Sequence, residues 1–257
     1  MNKTVRWLVI LMAGLMIGLS GFQLYSIISE YAAGESGYDQ LTSQFVRLES
    51  STQPIRNQSS EANPSESHPE NPVQVDLPAL ASLYPDVVGW IYSDNGKINY
   101  PIVRGKDNQQ YLHRMVDGTE NKAGSIFMDS RNQAAFSDYH TILYGHNMKN
   151  DSMFGTLPDY SKPGYFEVHP MMWLITPNIT FRLDLFAGFV TPADSDTYQL
   201  ISDAGDLPGF IQAMKARSEF QSPISTEAAG QIVTLSTCAY DFDEARYVVL
   251  AMMTPVQ

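Results

Sequence analysis

Cysteine is almost missing from this chain: Cys238 is the only one in 257 residues. That excludes an internal disulfide, so the fold must be held by its apolar core. Cations are also few, with 16 Lys and Arg against 28 Asp and Glu and a net charge of −12. This balance argues against a nucleic-acid partner and leaves no polybasic patch for lipid head groups. HExxH, paired CxxC and GxxxxGK motifs are absent, so metal and nucleotide chemistry have no sequence support and no cofactor is implied.

Charge is wholly missing from Trp7 to Ile28. About 22 residues rising 1.5 Å each span roughly 33 Å, enough for a bilayer core of about 30 Å. A cleaved signal peptide would carry an apolar run of only about 7 to 15 residues, ending in a small-x-small site. Gln23-Leu-Tyr-Ser26 is a poor site of that kind. Residues 7–28 are therefore read as an uncleaved single-pass anchor in the cell membrane. Lys3 and Arg6 in residues 1–6 mark the cytoplasmic side, and everything after Ser29 lies outside.

Beyond the anchor, Leu41, Phe45 and Leu48 stand at helical spacing within Tyr38–Leu48, a short amphipathic segment. From Glu49 to Val73 the chain turns to Ser, Asn, Gln, Glu and Pro, the composition of a flexible stalk. As a coil of about 25 residues it would reach roughly 25 to 30 Å. This divides the exported part into a helix and stalk at 29–74 and a folded domain at 75–257.

The domain is rich in short strand patterns. They lie at Val88–Tyr92, Ile98–Val103, Ser125–Met128, Thr141–Tyr144, Met172–Thr176, Ile179–Val190, Ile232–Cys238 and Tyr247–Met253. Helical or turn patterns fall at Pro78–Tyr84, Asn108–Arg114, Met153–Tyr160 and Leu207–Phe220. Many strands divided by turn signals predict a mainly β protein, a closed or nearly closed barrel rather than a parallel βαβ sheet.

Two stretches carry chemistry. Gln231-Ile-Val-Thr-Leu-Ser-Thr-Cys238 has the period of a strand, and Arg246 opens the next strand after a short polar link. If the two pair, thiol and guanidinium lie side by side, where a cation favours thiolate and can hold an oxyanion. Alone, a single strand cysteine is more often an inert small hydrophobe. The second stretch, His140-Thr-Ile-Leu-Tyr-Gly-His146-Asn147, is a buried strand, a glycine that gives room to turn, and a histidine at the strand's end. His68 lies in the stalk. His113, His140 and His169 lack this placement and are read as surface or packing residues.

Together these residues resemble the class B sortases. Thr234-Leu-Ser-Thr-Cys238 matches the family's nucleophile motif, and Arg246 follows as the family's arginine does. Tyr144-Gly-His-Asn147, continuing to Met153-Phe154, is similar to its histidine motif. Asp86-Val-Val-Gly-Trp-Ile91, Tyr100-Pro101, Asp107-Asn108, Tyr111-Leu112 and Gly124-Ser-Ile-Phe-Met-Asp129 are similar to further segments. The insertion Thr191–Ala229 resembles the class B loop that carries an added helix.

The resemblance implies a sortase-type closed eight-stranded β-barrel with short peripheral helices. It implies a cysteine transpeptidase on the outer face of a Gram-positive cell, which cuts a C-terminal sorting signal after threonine and joins that threonine to an amine of the peptidoglycan precursor. Cys238 would attack, His146 would serve as acid and base, and Arg246 would hold substrate and oxyanion. The Ala239 N–H would be a second oxyanion donor. Asn108 and Leu112 would line one wall of the substrate groove, Ser236 and Thr237 would neighbour the thiol, and Tyr198 would enter from the long loop. Asn108 has a second reading as a helix N-cap or turn residue. The sorting motif, NPxTN-like or a proline-threonine-glycine variant, stays open, as does pilus polymerisation in place of wall anchoring. Another type of cysteine transpeptidase places arginine directly after the cysteine, where this chain has Ala239. A noncatalytic surface-binding module would share the anchor, stalk and β-domain, but would not need Cys238, His146 and Arg246 to converge.

Overall fold

The computed structural model describes residues 2–48, 73–227 and 229–256. Helix α1 (Lys3–Phe45) leads into β1 (Val46–Leu48), then β2 (Val73–Val75) and α2 (Leu77–Leu83). The barrel strands follow: β3 (Val87–Ser93), β4 (Asn99–Val103), β5 (Ile126–Met128) and β6 (His140–Tyr144). After α3 (Tyr165–Val168) come β7 (Met171–Ile175) and β8 (Thr180–Pro192), then α4 (Leu207–Lys215), β9 (Ile232–Cys238) and β10 (Ala245–Val256). These last eight strands close in the order β10-β8-β7-β3-β4-β5-β6-β9, so none presents an open edge. All eight predicted strands are present.

Trp90, Ile91, Ile102, Ile126, Leu143, Leu174, Leu235 and Val249 are fully buried and fill the main core. Each large aliphatic so buried contributes about 1.5 to 3 kcal/mol by leaving water. Outside the barrel, Leu207, Ile211 and Met214 of α4 cover Phe186, Phe189, Val248 and Leu250. The helix expected over Leu207–Phe220 ends at Lys215 because the chain turns back, the Glu219 amide bonding to the Gly188 carbonyl of β8.

Two pairings decide where the chemistry can sit. β6 and β9 run parallel, with Tyr144 opposite Ser236, so the strands that end before His146 and at Cys238 finish at the same rim. β9 and β10 are antiparallel with Cys238 opposite Arg246, which starts β10 at that rim.

Of the helical or turn patterns, 108–114 forms turns and Met153–Tyr160 a 3₁₀ turn at Leu157–Ser161. The carbonyls of Tyr111 and His113 accept from the amides of Ser125 and Asn121, and that of Leu112 accepts from His146. One expectation changes: α1 runs without a break from the apolar stretch into the domain, about 65 Å at 1.5 Å per residue. Tyr38 and Phe45 at its end belong to the main core, and Leu48 has already entered β1. Of the stalk predicted at 49–73, residues 49–72 lie outside the described residues, and Val73 belongs to β2, where it pairs with Leu48 of β1. The stalk's length therefore does not set the distance between helix and barrel.

Candidate active site

Three bonds stitch the segment 145–147 to the end of β9. The Gly145 amide donates to the Ser236 carbonyl (3.1 Å), the Thr237 hydroxyl donates to the Gly145 carbonyl (2.8 Å), and Asn147 Nδ2 donates to the Cys238 carbonyl (2.8 Å). A side chain at 145 would strike Ile126 and Phe154, which is why the turn needs glycine there. These bonds place His146 and Cys238 on one cleft of about 390 Å³ with Arg246. Asn108, Leu112, Tyr198, Ser236 and Thr237 also line it, so every side chain predicted for the site faces the same cleft.

His146 is half-buried and its Nε2 lies 2.6 Å from the Leu112 carbonyl. A carbonyl only accepts, so Nε2 carries the proton and Nδ1 is the nitrogen left for exchange. Burial pushes the His146 pKa below the ordinary histidine value, the bond to Leu112 opposes this, and His113 adds to the lowering. His113 stacks on the His146 ring with centroids 5.3 Å apart. The sequence reading of His113 as a surface or packing residue missed this contact, because nothing in local spacing links 113 to 146.

Arg246 Nη2 meets Glu244 at 3.0 Å, with Glu244 largely exposed. An exposed pair of this kind is worth about 0 to 1 kcal/mol, so the guanidinium can exchange Glu244 for an oxyanion. The Ala239 amide differs from its expected role. It donates to the Ala245 carbonyl at 2.9 Å and Ala239 lines a neighbouring groove, because the β9–β10 ladder continues one step past Cys238. In this conformation it is not free for an oxyanion.

The far wall rests on a buried carboxylate absent from the predicted set. Burial pushes the Asp129 pKa up, but bonds from the Arg131 side chain and amide and from Tyr144 outweigh it and hold it at about 2. Asp129 accepts from the Tyr144 hydroxyl at 2.9 Å and from Asn108 Nδ2 at 3.2 Å, while Asn108 Oδ1 accepts from the Ser130 amide at 2.8 Å. Asn108 lies in a turn and caps no helix, and its side chain is fixed in the wall by residues 129 and 130. Tyr198, in a 3₁₀ turn of the insertion, meets Ser236 Oγ at 2.8 Å and stacks on Tyr144, which brings the insertion over the thiol. The Asp129 segment was already visible as Gly124–Asp129; its charge pairing was not.

A family model for the sortase domain matches residues 93–254. The chain belongs to the sortase family, class B. Sortase B of Listeria monocytogenes is 34% identical over 180 residues, covering 69% of this chain and 73% of that protein. Sortase B of Staphylococcus aureus is 31% identical over 187 residues, covering 72% and 77%. Among solved structures, Bacillus anthracis sortase B in complex with AAEK1 matches with a TM-score of 0.71 at 29% identity, over 89% of this chain and 100% of that one. The Staphylococcus aureus sortase B-substrate complex matches at 0.64 and 30% identity, over 70% and 85%. The closed eight-stranded barrel is the fold of these sortases, and the chain is accordingly a cysteine transpeptidase.

Proposed function

We propose that this sortase is a membrane-anchored enzyme that cleaves a C-terminal sorting signal after threonine and transfers the threonyl carbonyl to an amine of the peptidoglycan precursor. The observation that supports it most is the meeting of Cys238, His146 and Arg246 at one barrel rim. The Cys238 thiolate adds to the threonyl carbonyl, and Arg246 binds the oxyanion. As the C–N bond breaks, imidazolium His146 gives its Nδ1 proton to the departing nitrogen, leaving a thioester. The acceptor amine then attacks the thioester carbonyl, neutral His146 takes its proton, and the C–S bond breaks to restore thiolate. The lowered His146 pKa favours the neutral ring that the second half-reaction needs. Asn108, Leu112, Tyr198, Ser236 and Thr237 form the groove for the sorting motif.

The test is intact mass after incubating the full chain, in detergent, with sorting-motif peptides and no amine. A peptide adduct on the wild type and none on Cys238→Ala is expected; an adduct on Cys238→Ala overturns the assignment of the nucleophile.

Helix α1 is long and apolar enough to cross a membrane, with mean hydropathy 1.9 over an 18-residue stretch. With Lys3 and Arg6 inside, the barrel lies outside the cell. Protease added to wall-stripped cells then digests the barrel; complete protection excludes this orientation.

A further inference from the structure

The helix that carries the apolar anchor also packs, through Tyr38, on the backbone beside the carbonyl that meets His146. Tyr38, ten residues past the charge-free stretch, is only 4% exposed. Its hydroxyl donates to the Gly124 carbonyl at 2.6 Å and lies 3.1 Å from Ser125 Oγ. Gly124 has φ of +57°, and a β-carbon there would stand 2.3 Å from the Leu112 carbonyl oxygen. The backbone at 124 is therefore pressed directly against the carbonyl that accepts the His146 Nε2 proton. Any drift of 124 moves the acceptor of His146.

A second path starts from the same ring. Tyr38 meets Tyr100 edge to face, with centroids 5.2 Å apart. Met153 lines one cavity with Tyr38 and Tyr100. Met153 is fully buried with φ of +56° and is bridged to Asn147, and the next amide, Phe154, donates to the His146 carbonyl at 3.0 Å. One path thus holds the ring of His146 and the other its backbone. The helix is itself fixed on the Leu112 side, where Lys122 pairs with Glu30 at 2.8 Å and Asn121 Nδ2 donates to the Glu30 carbonyl at 3.1 Å.

We propose that Tyr38 is a positioning residue for His146, acting through the Gly124 and Leu112 backbone, so that the juxtamembrane half of α1 is a working part of the active site. Tyr38 touches no substrate. It fixes the Leu112 carbonyl, and that carbonyl selects the His146 tautomer that leaves Nδ1 for proton exchange. The kinetic consequence rests on the reading of His146 as acid and base; the tautomer does not.

The experiment uses the full chain in detergent micelles, labelled with ¹⁵N-histidine. Tyr38→Phe removes one hydroxyl and keeps the ring against Tyr100, so it tests the bond and not the packing. Neutral His146 in the wild type is expected to give the ring shifts of an Nε2–H tautomer. Tyr38→Phe is expected to move those shifts toward a mixed-tautomer average and to lower kcat for peptide cleavage by about tenfold at unchanged KM, as small misplacements of a reacting group do. Gly124→Ala, with its β-carbon against the same carbonyl, is expected to move the shifts further where it folds. Identical His146 shifts in wild type and Tyr38→Phe overturn the proposal. Altered shifts together with full turnover in His146→Ala uphold the positioning and instead remove His146 from the mechanism.

Discussion

The two halves of this active site are built by different means. Cys238 and Arg246 sit opposite each other on neighbouring strands, and the β9–β10 ladder places them without help from any side chain. His146 lies beyond the end of its strand and is held by a carbonyl 34 residues away, by bonds to β9, and by a stacked histidine. A ladder tolerates side-chain replacement, because its bonds are all backbone. A loop held by side chains and single carbonyls does not.

The sharpest way to probe the contrast is to remove a group from each half. His146→Ala should lower turnover by roughly 10² to 10⁴-fold, the usual contribution of a general acid and base. Single-turnover peptide cleavage measures it, and turnover within twofold of wild type would show that the loop-held half is not chemical. Arg246→Lys should cost less, about 10² to 10³-fold, the loss seen when one oxyanion donor is removed. The lysine keeps the charge but lacks the planar fork. Because β10 pairs through its backbone, this variant should keep the wild-type melting temperature. A fall in stability as large as the fall in rate would mean that Arg246 braces the rim and does not serve the reaction.

The same contrast explains what could be read from the sequence. The strand half was legible because its information is local: alternation marks β9 and β10, and the short link between them lets them pair as neighbours, as they do. The position of His146 at a strand's end was legible for the same reason. What holds it was not. The Leu112 carbonyl, the Asp129 carboxylate under Asn108 and the contact from Tyr38 join segments separated by 21 to 87 residues, and no periodicity encodes them. The helical or turn pattern at 108–114 is a turn, and that residues 111–113 give their carbonyls to the site and its neighbours was not legible either. The Ala239 amide misled in the other direction. Proximity to a nucleophile suggests an oxyanion donor, but the ladder that places Cys238 also consumes the next amide.

The smallest predicted effect concerns the histidine at the other end of the same strand, and it is one of stability. His140 opens β6 fully buried, with Nδ1 2.8 Å from the Gln199 carbonyl and Nε2 2.8 Å from Thr234 Oγ1. Burial pulls its pKa down to about 4 from 6.5; the Gln199 carbonyl opposes this, Arg131 adds to it, and Asp129 and Asp138 oppose it. The native state therefore refuses a proton that the unfolded chain accepts. Stability from this residue is fully present above about pH 6.5 and is lost as pH falls toward about 4. Below that, both states are protonated and the slope from His140 vanishes. Asp129, held at about 2 against 3.8, is lost only in stronger acid, so the interval from pH 6.5 to 5 belongs to the two histidines whose pKa burial lowers, His140 and His146. Melting temperatures across that interval should fall by several degrees in the wild type, since about 1 kcal/mol moves a domain of this size by roughly 2 to 4 °C. His140→Gln cannot take up a proton there, so its curve should begin lower at pH 7.5 and then fall less steeply to pH 5, the residual slope coming from His146. An equal slope in both proteins would assign the acid sensitivity elsewhere, with His146 next to be tested. Histidines six residues apart, one held neutral to pack and one left open to exchange protons, would then no longer be distinguishable by titration.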